Sequence, residues 1–187
     1  MNFKYLIITV ILLFYCILVY ADEPAVVKNT RNVYIQIEDM IKKKHMYTVK
    51  ITLNETDFSL AGFGKYNKKY SFFYRIEDGR VLSIAKIKLD YQISASKFSE
   101  DYIFSEDGVL LFVFIGREHE NIEERFYFNA GELAMIMYDR PDSSGKNSRS
   151  VVGKFSVKDI KRAEQISNEA ELLLKYISEM PGGAALK

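Results

Sequence analysis

The chain has 187 residues, with 26 lysine and arginine residues, 25 aspartate and glutamate residues, and a formal net charge of +1. A near-neutral surface provides no global attraction to nucleic acid, so we expect no nucleic-acid partner. The single cysteine, Cys16, excludes an intrachain disulfide and a cysteine-ligated metal cluster.

Residues 1–21 have the features of an export signal. Lys4 is followed by an apolar run, and Ala21 suits a signal-peptidase site. The run is short for a membrane span of roughly 20 residues. We therefore predict cleavage after Ala21, with an uncleaved N-terminal anchor as the alternative and as the only membrane attachment.

The lack of disulfides favours a bacterial exported protein, periplasmic or extracellular, over a small secreted eukaryotic domain. Residues 22–180 are long enough for one domain with its own core. We predict that residues 181–187 form a flexible tail after Pro181.

A helix is predicted near the N-terminus of this domain, after a polar lead-in over residues 22–32. Val33, Ile37, Met40 and Ile41 recur at helical spacing and would share one face. The run VYIQI could instead begin a strand. Residues 47–53 then alternate apolar and polar side chains as in a half-buried strand, and residues 58–66 are expected to return as a second strand.

Residues 70–140 repeat a strand–turn–strand pattern three times, with turns ending at Gly79, Gly108 and Gly131. Asp78-Gly79 is the strongest hairpin signal, and residues 94–99 are expected to form a further turn. About eight strands joined by short turns indicate an antiparallel meander. The strand VLLFVFI is apolar on both faces, so it should be covered on both sides, by helices or by the far wall of a curled sheet.

A second helix is predicted near the C-terminus. Ser156 is its expected N-cap, and Asp159 lies three residues on, as in a capping box. Its apolar stripe is predicted to contain Ile160, Ala163, Ser167, Ala170, Leu174 and Ile177. The predicted fold class is therefore α+β: a curved antiparallel β-meander of about eight strands with an N-terminal helix and a C-terminal helix packed on it.

Two blocks carry a resemblance to a known group. EDYIFSEDGVLLFVF followed by EERFYFNAGELAMI resembles paired blocks, YYF-x-DG-x-L-x-FV and EERYYF-xx-GKL, of uncharacterised secreted or periplasmic bacterial proteins. This chain departs from the pattern at Ile103 and at Glu132-Leu133. The resemblance implies export and an antiparallel sheet. It implies no activity, because the group has none assigned, and so no catalytic or ligand-binding residue is carried over.

The sequence contains no recognisable catalytic or metal-binding motif. Its two histidines are His45 and His119, and neither lies in an HExxH pattern. His119 lies among glutamates in REHENIEE, which we interpret as a solvated loop rather than a metal or acid–base site. We expect no catalytic residue, metal or cofactor, with a hydrolase of unrecognised site as the least favoured alternative.

Tyrosines and arginines on neighbouring strands are the candidate binding residues. Such rows of aromatic side chains form either core packing or a recognition surface. The binding interpretation assigns a protein segment or a small apolar ligand to Arg75, Tyr102, Arg125 and Tyr127. The favoured function is a non-catalytic exported binding module that uses an aromatic-rich sheet face or edge. An envelope-tethered structural or assembly accessory protein is the alternative.

Overall fold

The computed structural model describes residues 24–54, 59–60, 64–77, 80–141 and 148–179. The predicted signal segment, the Asp78-Gly79 turn and residues 181–187 lie outside the described residues. The α+β prediction is confirmed, because an antiparallel sheet lies between one helix near each end of the chain. In chain order the elements are α1 (Ala25–Lys42), β1 (Tyr47–Leu53), β2 (Ser59–Leu60), β3 (Gly64–Glu77), β4 (Arg80–Ile93), β5 (Ser96–Phe104), β6 (Leu110–Arg117), a 3-10 turn (Glu118–Glu120), β7 (Ile122–Asn129), β8 (Glu132–Asp139), β9 (Ser148–Val152) and α2 (Val157–Glu179).

The strands form one open antiparallel sheet in the order β1-β3-β4-β5-β6-β7-β8-β9, so that β1 and β9 are its edges. The two-residue β2 also pairs with β3. Leu53 of β1 lies opposite Lys68, and Ser59 of β2 lies opposite Lys65. β2 therefore continues along β3 in the direction of β1, and the chain reverses only at β3. The expectation of a single return strand over residues 58–66 is wrong in this respect.

Helix α1 covers part of one face of the sheet. The helix prediction is confirmed, and the strand alternative for VYIQI is wrong. The predicted polar lead-in is also wrong, because the helix already begins at Ala25 after Pro24. Thr30 and Val27 are buried with Ile37, since they continue the same helical stripe about two and three turns before it.

Helix α2 covers the opposite face. The predicted capping box is present: the Asp159 carboxylate accepts hydrogen bonds from the Ser156 backbone N–H at 3.0 Å and its hydroxyl at 2.7 Å. The Asp159 N–H donates to Ser156 Oγ at 3.2 Å, so the first helical turn is closed reciprocally.

The apolar stripe of α2 differs in part from the prediction. Ile160 is 44% exposed, and Ser167 and Leu174 are only half-buried. The apolar residues that face the sheet follow a spacing of three and four residues. They are Ala163, Ile166, Ala170, Leu173 and Ile177.

Strand β6 is apolar on both faces because the sheet lies between α1 and α2. Val113 and Ile115 pack in the core that includes α2, whereas Phe112 packs in a second core that includes α1. Successive side chains of a strand point to opposite faces, and each face of this strand meets a helix side. The alternative of a far wall of a curled sheet is therefore wrong.

Short turns set the sheet order. The chain reverses between β4 and β5 within Ser94 and Ala95, which corrects the longer turn predicted over residues 94–99. Gly108 has a φ of +78°, as the predicted turn between β5 and β6 requires. Connections of this length leave sequential strands as neighbours.

Candidate functional site

The outer edge of β1 is the longer of the two sheet edges. β1 has seven residues and pairs with β3 on one side only. Within the described part of the chain, no strand pairs with its other side. A free strand edge presents a row of backbone N–H and C=O groups that can pair with a further strand.

An apolar groove lies beside this edge, between the sheet and α2. It has a volume of about 590 Å³ and contains large side chains that are exposed although apolar: Leu53 at 44%, Leu172 at 51% and Tyr176 at 62%. Its wall consists of Ile51, Leu53, Lys68, Tyr70, Phe72, Glu169, Leu172, Leu173, Tyr176 and Glu179. We call this surface the β1 groove.

A second concave surface, which we call the trough, occupies the other face of the sheet, where α1 does not cover it. Its volume is about 1340 Å³. Lys50, Thr52 and Lys69 line it at the β1 end, and Glu123 and Asp139 line it toward β8. The trough therefore carries positive charge at the free edge and negative charge at its far side.

β1 separates the two concave surfaces. Its side chains alternate, so that Ile51 and Leu53 line the β1 groove while Lys50 and Thr52 line the trough. Lys50 is exposed and forms no ion pair within the described residues, and the same holds for Lys69 on β3. A strand added at this edge would therefore meet apolar side chains on one face and unpaired ammonium groups on the other.

A smaller pocket of about 600 Å³ lies beside α1 and shares Phe114 and Glu123 with the trough. Arg125 forms an ion pair with Glu123, and its guanidinium lies 5.6 Å from the centre of the Phe114 ring. Gly116 leaves room for the Phe114 ring in this position, because a Cβ at residue 116 would come within 3.1 Å of that ring. Tyr127 lines the same pocket, with its ring 5.0 Å from that of Phe112.

A buried ion network joins α1 to the sheet behind this pocket. Lys86 Nζ lies 2.6 Å from Glu38 Oε1 and 2.7 Å from Asp101 Oδ2. Tyr34 on α1 donates to the same Asp101 oxygen at 3.2 Å. Burial by itself would lower the pKa of Lys86, but the two carboxylates outweigh burial and raise it. Lys86 is therefore held as an ammonium ion.

A second polar cluster lies on the α2 face. Glu100 is buried and accepts hydrogen bonds of 2.8 Å from Tyr91 and from Tyr102. Burial and the nearby Glu100 carboxylate raise the pKa of Tyr102, and the same two causes raise the pKa of Glu169 on α2. The hydroxyls of Tyr91 and Tyr102 act as neutral donors to Glu100, and the Tyr91 bond ties β4 to β5.

The four predicted binding residues do not form one surface. Arg125 and Tyr127 line the pocket beside α1. Tyr102 is fully buried in the α2-side core. Arg75 donates to the backbone carbonyls of Ile84, Phe104 and Ser105 at 2.7–3.2 Å, so it holds strand ends together.

Sequence reasoning missed the residues of the β1 groove. Leu172 and Tyr176 lie on α2 outside the predicted apolar stripe, so the prediction assigned them no role. The available signal was the run Leu172-Leu173-Leu174, because a helix that buries only one stripe cannot bury three consecutive leucines.

The expected loop of His119 is present as an exposed 3-10 turn. In the described residues, no three histidine, cysteine, aspartate or glutamate side chains form a group that could hold a metal ion. Neither of the two described helices has the length and apolar character needed to cross a membrane. No family model, curated protein or solved structure matches this chain.

Proposed function

We propose that this chain is an exported, non-catalytic protein-binding module that adds an extended segment of a partner protein to the free edge of β1. Strand addition of this kind uses main-chain hydrogen bonds for affinity and side-chain pockets for specificity. The observation that carries the proposal is the combination of an unpaired seven-residue edge with the apolar groove directly beside it.

The shape of the sheet supports a protein segment over a small apolar ligand. Helix α2 packs on one face, and α1 packs on part of the other. The β1 groove is open to solvent rather than an enclosed cavity, because Leu172 and Tyr176 in its wall are more than half exposed. An extended chain could contact this groove and the β1 backbone at the same time, whereas a compact lipid-like molecule would leave the backbone edge unused.

Export is part of the proposal. It rests on the signal-like residues 1–21 and on the resemblance to secreted or periplasmic proteins. Intact-mass measurement of the protein recovered from an expressing bacterium distinguishes two forms. A chain beginning at Asp22 indicates a released module, and a chain that keeps the apolar segment indicates the same module tethered to the envelope. Recovery of the whole chain in the cytoplasm would refute export.

The binding proposal is tested with a synthetic probe. The probe is a blocked seven-residue peptide that alternates valine and threonine, labelled with a fluorophore and titrated against the purified protein by anisotropy. We expect saturable binding and slower hydrogen exchange of the β1 backbone amides in the complex, because an added strand satisfies the free edge.

Variants of the groove show whether the peptide binds there. Leu172→Asp and Tyr176→Asp should each weaken binding at least tenfold, about 1.4 kcal/mol, because they place a charge in the apolar groove. Both side chains are more than half exposed, at 51% and 62%, so the fold should be retained. Val157→Asp is the matched control, since Val157 is 70% exposed on the same helix but does not line the groove.

Three outcomes would contradict the proposal: absence of binding, unchanged exchange of β1 amides, or equal effects of the three substitutions. A concentration-dependent dimer in sedimentation equilibrium, formed without peptide and abolished by Leu172→Asp, would assign the edge to a second copy of this chain instead.

A further inference from the structure

We infer that the segment recognised at β1 carries acidic side chains on the face that meets the trough. This inference rests on the proposed strand addition and specifies the chemistry of its partner. A segment paired with β1 would place alternate residues beside Tyr47, Val49, Ile51 and Leu53 on the groove side. The intervening residues would lie beside Thr48, Lys50 and Thr52 on the trough side.

The groove side therefore selects apolar residues and the trough side selects negative charge. Lys50 is exposed at the centre of β1, and Lys69 lies on the neighbouring strand and the same face, opposite Thr52. Neither forms an ion pair in the part of the chain that the structure describes. Asp90 lies directly opposite Lys69 on β4, and its carboxylate pairs with Lys88 at 3.3 Å.

The position of Lys50 also disfavours a second copy of this chain as the partner. Lys50 is the central residue of Tyr47–Leu53. In an antiparallel pair of two β1 strands in full register, each Lys50 would lie opposite the other, and like charges directly opposite each other are destabilising. An acidic residue at that point is instead favourable. One side chain thus discourages self-association and favours an acidic partner.

The inference is tested by three blocked seven-residue peptides that share valine at alternate positions. The intervening residues are threonine, glutamate or lysine. Against the unmodified protein we expect the glutamate peptide to bind at least fivefold more tightly than the lysine peptide. The difference should shrink as salt is raised, because both lysines are exposed and their fields are screened.

Charge reversal locates the preference. Lys50→Glu should make the lysine peptide the tighter ligand. Lys161→Glu is the matched control, because it makes the same change in net charge at an exposed position of α2 that lines neither concave surface. We expect it to leave the order of the charged peptides unchanged.

The outcomes separate this inference from the proposed function. If the threonine peptide binds but the glutamate and lysine peptides bind equally, or if Lys50→Glu does not reverse their order, the acidic partner is refuted and strand addition stands. If none of the three peptides binds, strand addition itself is refuted.

Discussion

Removing the ammonium group of Lys86 while keeping most of its aliphatic stem, as in Lys86→Met, should destabilise the protein strongly. Lys86 is only 3% exposed, and Asp101 beside it is 7% exposed. At the observed 2.7 Å, each charge pair has a gross attraction of about 6 kcal/mol for an effective dielectric constant of ~20. Much of that attraction offsets the cost of removing the charges from water in the wild type.

The substitution leaves that cost without its compensation. Asp101 would remain buried with no counter-charge, a change that typically costs about 3–5 kcal/mol. For a chain of this size, that loss corresponds to a fall in melting temperature of about 10 °C. Urea unfolding followed by far-ultraviolet circular dichroism measures the free energy, and hydrogen exchange of α1 shows whether the helix detaches first.

Two variants make the result interpretable. Lys43→Met removes an exposed partner of Asp39, with side chains 58% and 55% exposed, and should cost less than about 1 kcal/mol. The double variant Lys86→Met with Asp101→Leu should recover at least half of the loss, because it leaves no unpaired charge at Asp101. If Lys86→Met costs no more than Lys43→Met and leaves the exchange of α1 unchanged, the argument about this network is wrong.

Further substitutions test the packing of α2, the turn at Gly108 and the titration of Glu169. Leu173→Asp should lower the melting temperature far more than Leu174→Asp, because Leu173 is buried against the sheet and Leu174 only half-buried; equal effects in thermal unfolding would refute the observed stripe. Gly108→Val should cost at least about 1 kcal/mol in urea unfolding, because a β-branched residue resists a φ of +78°, whereas Gly108→Asn should be tolerated. Glu169 is exposed as a whole, but desolvation of its carboxyl group, and then Glu100, raise its pKa above 4.5, so the folded state holds this proton more tightly than the unfolded state. The stability that this proton contributes is fully present below pH 4.5 and is lost as the pH rises through the pKa of Glu169 in the folded state. Glu169→Gln should therefore flatten the pH dependence of stability above that pH, and an unchanged profile would contradict the assignment.

The strands were predictable because turn chemistry and alternation both act locally. Gly108 adopts the positive φ that its turn requires, and the capping box of Ser156 and Asp159 closes α2 as predicted. The start of α1 was missed because Val27 and Thr30 look polar in context, being separated by lysine and asparagine. Helical spacing alone extends the stripe of Val33 and Ile37 back to Thr30 and Val27.

The orientation of the binding candidates could not be predicted by the same means. Alternation states that Tyr102 and Asp101 lie on opposite faces of β5, but it does not state which helix covers which face. The sequence predicts Arg75 as a binding residue, whereas in the structure its guanidinium donates to carbonyl groups of residues 9 to 30 positions away. Such contacts depend on the order of the strands in the sheet. Local strand and turn patterns are compatible with more than one order, so they do not predict these contacts.

The two edges of the sheet differ in a way that bears on function. β9 has five residues, and its first three, SRS, are polar, whereas β1 has seven residues without proline and with Tyr47 and Leu53 exposed at its ends. Proteins usually shorten, charge or cover strand edges, because an exposed apolar edge pairs with other chains. A single lysine at the centre of β1 is a weak barrier to pairing in general, but it disfavours the antiparallel pair of two β1 strands in full register, in which the two Lys50 side chains would lie opposite each other. This combination would be a liability on an unused surface, and it is consistent with the proposed addition of a different, negatively charged strand.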